Sequence, residues 1–109
     1  MAKQPPHLLV LSSCPGTITA KKIANVLVME KLAACVQIFP GVQSYFRWVG
    51  KVDNKEEVVL LIKTTSDCYK ALEKRIKALH PYELPEIISV PISGGFDKYL
   101  DWIDTNTQE

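Results

Sequence analysis

The chain first shows an unbroken apolar run, Leu8 to Leu11, inside HLLVLSSC, and the run stops at Cys14-Pro15-Gly16. A short continuous run closed by a Pro-Gly turn predicts a strand buried on both faces. In TITAKKIANVLVMEKLAA the period changes: Ile18, Ile23, Val26, Leu27 and Met29 share one stripe, with the lysines elsewhere. That spacing predicts an amphipathic helix, with Thr17 supplying the N-cap oxygen. From Cys35 to Thr65 polar and apolar residues alternate, and β-branched and aromatic side chains dominate. Two long strands are expected there, joined at Gly50-Lys51 and Asp53-Asn54 into a hairpin arm. Pro40-Gly41 interrupts the first of them, and because proline has no ladder N–H it marks a bulge or an edge bend.

SDCYKALEKRIKALH returns to helical spacing, with Tyr69, Leu72, Ile76 and Leu79 on one stripe. Ser66 is the expected N-cap, Asp67 favours the first-turn dipole, Glu73 and Lys77 form an i,i+4 pair, and Pro81 ends the helix. EIISVPIS reads as a strand. GGFDKYLDWIDTNTQE reads as a turn and a short helix on Phe96, Tyr99, Leu100 and Ile103, ending in a polar tail that frays. The order β-α-β-β-α-β plus a C-terminal helix predicts an α+β fold of the ferredoxin-like, split-βαβ kind. Its helices cover one face of a four-stranded antiparallel sheet, and a long hairpin of the second and third strands forms the arm.

Length narrows this picture to one domain over residues 1–109. Thirteen basic residues face twelve acidic ones, a net +1 that argues against nucleic-acid coating and does not oppose self-association. The first residues lack a secretory pattern, and the longest apolar run, Val58 to Ile62, is too short to span a bilayer. Cys14, Cys35 and Cys68 are odd in number and far apart, which suits reduced thiols in a cytoplasmic protein. Motifs for nucleotide hydrolysis, zinc proteolysis and serine hydrolysis are missing, so an enzyme is not expected.

Candidate chemistry concentrates in HPYELPE, residues 80–86, where Pro81 and Pro85 hold ionisable side chains rigidly. His80 closes the second helix, where it serves either as a capping cation or as a ligand. Cys14, at the end of the first strand, is the cysteine expected to reach a cleft; Cys35 reads as buried and Cys68 as a helix first-turn thiol. Thiolate and imidazole suit copper or zinc, so Cys14 and His80 form a candidate metal pair. SGGF, at 93–96, reads as a turn needing φ > 0 in preference to an anion site at a helix start. Arg47 and Trp48, with Glu56 and Glu57 opposite, would stand bare on the arm unless another copy covers them.

Five stretches in order (EKLAACV, PGVQSYFRWVGK, EVVLLIKT, HPYELPE and YLDWI) resemble the CutA family of divalent-ion tolerance proteins over about 105 residues. The resemblance implies a homotrimer in which arms and C-terminal segments pair across subunits, with PII-like clefts between them. It further implies binding of divalent cations such as copper, or of a small anionic ligand; the near-neutral charge and short apolar runs argue against nucleic acid or membrane as partners. The matching positions are His80, Tyr82 and Glu86 on one wall, with Trp48, Glu57 and Lys63 nearby; His80, Cys14 and Glu86 are the candidate metal ligands. Where the family's proposed copper ligands include a first-strand cysteine and a paired histidine, this chain has Ser12 and Leu79. A PII-like signalling protein, a rigid trimeric scaffold, or an enzyme using His80 or Glu86 as base on a small anionic metabolite are the alternatives.

Overall fold

A computed structural model describes residues 6–108. The elements follow the expected order: β1 (His7–Cys14), α1 (Thr17–Met29), β2 (Cys35–Trp48), β3 (Lys51–Thr65), α2 (Tyr69–Leu79), β4 (Ile87–Pro91) and α3 (Asp97–Thr105). The strands form one sheet in the order β2-β3-β1-β4, with every neighbouring pair antiparallel. The expected α+β architecture of four antiparallel strands, two crossover helices and a C-terminal helix is therefore present.

Strand alternation decides what the helices bury. Val10 and Cys14 on β1 and Leu60 and Ile62 on β3 are completely buried, together with Ile23 and Leu27 of α1 and Leu72 and Ile76 of α2. Tyr69 and Leu79 pack against this core from the ends of the α2 stripe. In α1 the expected stripe is only partly used. Ile18 and Met29 are 86% and 74% exposed, because each stands two residues from the buried Ala20, Ile23 and Leu27 stripe and so turns to the opposite face of the helix.

Helix ends depart from expectation for local reasons. Thr17 is the first helical residue of α1; Gly16 is the N-cap, and no side-chain oxygen caps it. KLAA does not continue the helix. Lys31 adopts φ 60°, and the Leu32 and Ala33 amides both turn back to the Leu27 carbonyl at 2.9 and 3.2 Å. The Ala34 amide then bonds the Lys63 carbonyl, handing the chain to the sheet. In α2 the N-cap is Cys68 rather than Ser66, since Ser66 and Asp67 lie in the preceding turn. Glu73 accepts the Tyr69 hydroxyl at 2.8 Å. Burial first, and then this bond and its charge, push the Tyr69 phenol up to about 12.

The hairpin turns at Val49-Gly50, with φ 50° and 75°, so Asp53 and Asn54 lie inside β3 and not in the connection. Pro40 and Gly41 form the expected bulge: Phe39 pairs with Val59 and Val42 with Glu57, so two residues oppose Val58 alone. The C-terminal tail does not fray through Gln108. Thr107 is buried, its hydroxyl donates to the Ile103 carbonyl, and the Gln108 amide donates to the Lys31 carbonyl at 2.8 Å. His7 Nε2 and Asp104 Oδ1, 2.9 Å apart, tie α3 to β1.

The face of the sheet away from the helices is apolar and uncovered in this chain. Register places Leu9 beside Lys63 and Val90, and Leu11 beside Leu61 and Ile88. Ile88, Val90 and Phe39 are 52%, 46% and 46% exposed there. An antiparallel sheet with one wet face ordinarily carries polar side chains on that face.

Candidate functional site

The bulge builds the site. Inserting one residue shifts the alternation of β2, so beyond it Ser44 faces Lys55 and Phe46 faces Asp53. Without that shift Tyr45, not Phe46, would share a face with Lys55 and Glu57. The arm therefore brings an aromatic ring and alternating charges to one surface, just where β1 ends at Cys14 and the 80–86 loop crosses.

The loop is pinned by two side chains. The Tyr82 amide donates to His80 Nδ1 at 3.1 Å, which requires Nδ1 to be bare and Nε2 to carry the proton. That Nε2–H donates to the Ser13 carbonyl at 2.6 Å. The imidazole is buried, neutral and engaged at both nitrogens, so it acts as a fastening between the loop and β1 rather than as the capping cation the helix end would favour. Tyr82 extends from this fastening to the arm. Its hydroxyl donates to Glu57 Oε2 at 2.8 Å, its ring leans on His80 at 4.8 Å, and Lys55 Nζ sits 4.5 Å from its centroid. The same ammonium lies 5.8 Å from the Phe46 ring.

Electrostatics follow from this packing. Burial, and then the Glu57 hydrogen bond and charge, push the Tyr82 phenol up to about 12. Burial, and then the Glu57 charge, push the Cys14 thiol up to about 11. Glu57 is only 7% exposed, so its carboxylate depends on the Tyr82 hydroxyl for a partner at the base of the arm.

Between the arm and the loop lies a cleft of about 880 Å³, within the usual range for a small-molecule site. Of the residues anticipated from sequence, Trp48, Glu57, Tyr82 and Glu86 all line it. His80 stands behind the wall, bonded to the Ser13 backbone. The expectation that Cys14 reaches a cleft is corrected. Its place on β1 points it into the helix-facing core, where it is completely buried and its raised pKa keeps it protonated. Lys63 is also separated from the cleft. It lies at the other end of β3, opposite Leu9 and Cys35, and its ammonium donates to Gln37. Cys35 is partly exposed rather than buried. Among the described residues no three His, Cys, Asp or Glu side chains gather into a metal-holding group. Sequence reasoning missed Phe46 and Lys55; the bulge parity, carried by Pro40-Gly41, was the available signal for both.

The chain matches the family model described as CutA1 divalent ion tolerance protein over residues 8–106. It is 48% identical over 99 residues to the divalent-cation tolerance protein CutA of Thermus thermophilus, covering 91% of this chain and 96% of that one. It is 43% identical to the chloroplastic protein CutA of Arabidopsis thaliana, covering 98% of this chain and 59% of that longer one. Its fold is similar to the crystal structure of CutA1 from Shewanella sp. SIB1, with a TM-score of 0.94 at 42% identity, covering 98% of this chain and 100% of the other.

Proposed function

Because the chain belongs to the CutA1 divalent ion tolerance family, we propose that it is a non-enzymatic homotrimer holding a divalent cation or a small ligand in clefts between subunits. One observation carries this reading: the open apolar face of the sheet. Leu9, Leu11, Val59 and Leu61 form its centre, flanked by the half-exposed Ile88, Val90 and Phe39. Covering such a face removes apolar surface from water at roughly 25 cal/mol per Å². Copies of the same chain are the partners the family likeness favours. Trp48 on the arm and the stacked Tyr99 and Trp102 of α3 are also about half exposed, at 53%, 40% and 43%. They would be covered where arms and C-terminal segments meet.

The donors available for a cation decide its kind. A soft copper or zinc site would draw on Cys14 and His80, but the thiol is buried and protonated and the imidazole has no bare nitrogen to spare. Those two residues do not fit a metal in this conformation. The carboxylates of the cleft, Glu86 and Glu57 with Asp53 and Glu83, suit a hard cation that keeps part of its water. Since no three donors converge within one chain's described residues, a neighbouring subunit or water would complete the shell. The cleft's volume favours a second reading, a PII-like receptor for a small organic molecule, in the same place. A cytoplasmic setting agrees with three free cysteines, although the Arabidopsis relative is named chloroplastic. Among the described residues no helix is long and apolar enough to cross a membrane.

Calorimetric titration of the purified protein with Mg²⁺, Zn²⁺ and Cu²⁺ tests the cation reading. Binding should weaken at least tenfold in Glu86→Gln and in Glu57→Gln. No heat from any of the three ions, or equal affinity in both variants, removes it.

A further inference from the structure

The cleft's own chemistry indicates which small molecules it would hold; this inference rests on the ligand-site reading above. Four carboxylates line the space, Asp53, Glu57, Glu83 and Glu86, against two cations, Arg47 and Lys55. The excess of negative charge disfavours an anion, and the wall includes the nearly buried Glu57 carboxylate. Aromatic rings of Tyr45, Phe46, Trp48 and Tyr82 line the same space. Aromatic faces cannot coordinate a metal ion by lone pairs, but they attract an ammonium group through the ring quadrupole.

The molecule already demonstrates that preference on itself. Lys55 places its ammonium 4.5 Å from the Tyr82 centroid and 5.8 Å from that of Phe46. Among the described residues this ammonium forms no ion pair with a carboxylate; the ion pairs are His7 with Asp104 and Arg75 with Glu30. An exposed lysine free to reach water or a neighbouring acid instead lies across two rings at the cleft wall. A ligand cation of the same shape would compete for that position.

We propose that the cleft is a receptor for organic cations, amines or quaternary ammonium groups carried on an apolar body, and that Lys55 is its resident competitor. The two ligand classes then predict opposite signs for one substitution. Removing the lysine frees the rings and deepens the negative field, so a cation binds more tightly. An anion would lose its counter-charge and bind more weakly.

The test uses Trp102→Phe protein, which leaves Trp48 as the fluorescent reporter of the two tryptophans. It is titrated at constant ionic strength with benzyltrimethylammonium and with benzenesulfonate. Benzyltrimethylammonium should shift Trp48 emission, and Lys55→Met should tighten its Kd roughly three- to thirtyfold, the range of a cation–π contact. Lys55→Arg, which restores a cation over the rings, should stay within about twofold of the parent, and Glu57→Gln should weaken binding. An unchanged or weaker Kd for the ammonium probe in Lys55→Met overturns the proposal. If benzenesulfonate binds and Lys55→Met abolishes it, the site stands but its ligand class is wrong. If neither probe binds any variant, the organic-cation proposal is overturned, while the divalent-cation reading is decided separately by the titration with Mg²⁺, Zn²⁺ and Cu²⁺.

Discussion

Between Val58 and Thr64, β3 sends alternate side chains into a core where none is more than 5% exposed; between Lys51 and Glu56 the same strand leaves every residue in water. Both halves have a full antiparallel ladder, to β1 and β2 in the first case and to β2 alone in the second. The arm half therefore has one ladder where the body half has two, and burial separates them further. Two helices pack on the body, while the arm gains from its own chain a single ladder, the Tyr82–Glu57 bond at its root, the Gln43–Glu56 contact and the Lys55 ammonium beside the Tyr82 and Phe46 rings. A two-stranded ribbon is marginal in water by itself. Its extension makes sense as a surface for contact, with the candidate cleft at the junction of the two regimes.

Each region yields to a substitution aimed at the interaction that holds it. Ile76→Ala, a truncation in the fully buried core, should cost about 2–5 kcal/mol in equilibrium denaturation. On the outer face, Leu61→Asp should leave the far-ultraviolet circular dichroism intact yet convert the sedimenting species to single chains. A buried charge opposed across an interface costs several kcal/mol. At the junction, Tyr82→Phe strands the Glu57 carboxylate and should cost about 1–3 kcal/mol. Amide exchange should then quicken at the arm root but not in α2.

Alkali acts on the body through its buried thiol. The fold holds the Cys14 thiol protonated, so unfolding lets it ionise. Stability from this group is intact below the ordinary thiol value of 9.0 and is lost as pH rises toward about 11. The slope should approach about 1.4 kcal/mol per pH unit in that window and flatten in Cys14→Ala. Tyr82, held up to about 12, extends the decline beyond it. The smallest effect lies at the arm tip. Val49 is a β-branched residue at φ 50°, so Val49→Asn should stabilise by roughly 0.5–1 kcal/mol and raise the melting temperature.

Features carried by neighbouring residues are legible in the chain's local pattern. Stripes at helical spacing place α1 and α2, alternation places the long strands, and Pro40-Gly41 announces the bulge. The turn is harder to place because Asp53-Asn54 has the side chains of a turn, whereas Val49 is forced into one against its preference. Cap positions at Thr17 and Ser66 mislead for a related reason. The first helical bond of α1 runs from the Ala20 amide to the Gly16 carbonyl, and the Ser66 amide is drawn to the distant Pro6 carbonyl. HPYELPE stands out in the sequence as cleft-forming, but the work of its histidine does not. The Ser13 carbonyl that it binds is 67 residues away, and the Glu57 that Tyr82 grips is 25 away. Such partners depend on strand order, which local pattern does not encode.

Coverage of the outer sheet face by copies of the chain is read by sedimentation equilibrium at micromolar concentration, where a trimer gives a single species of about 37 kDa, three chains of 12.2 kDa each. A stable species of 12.2 kDa across that range would contradict it.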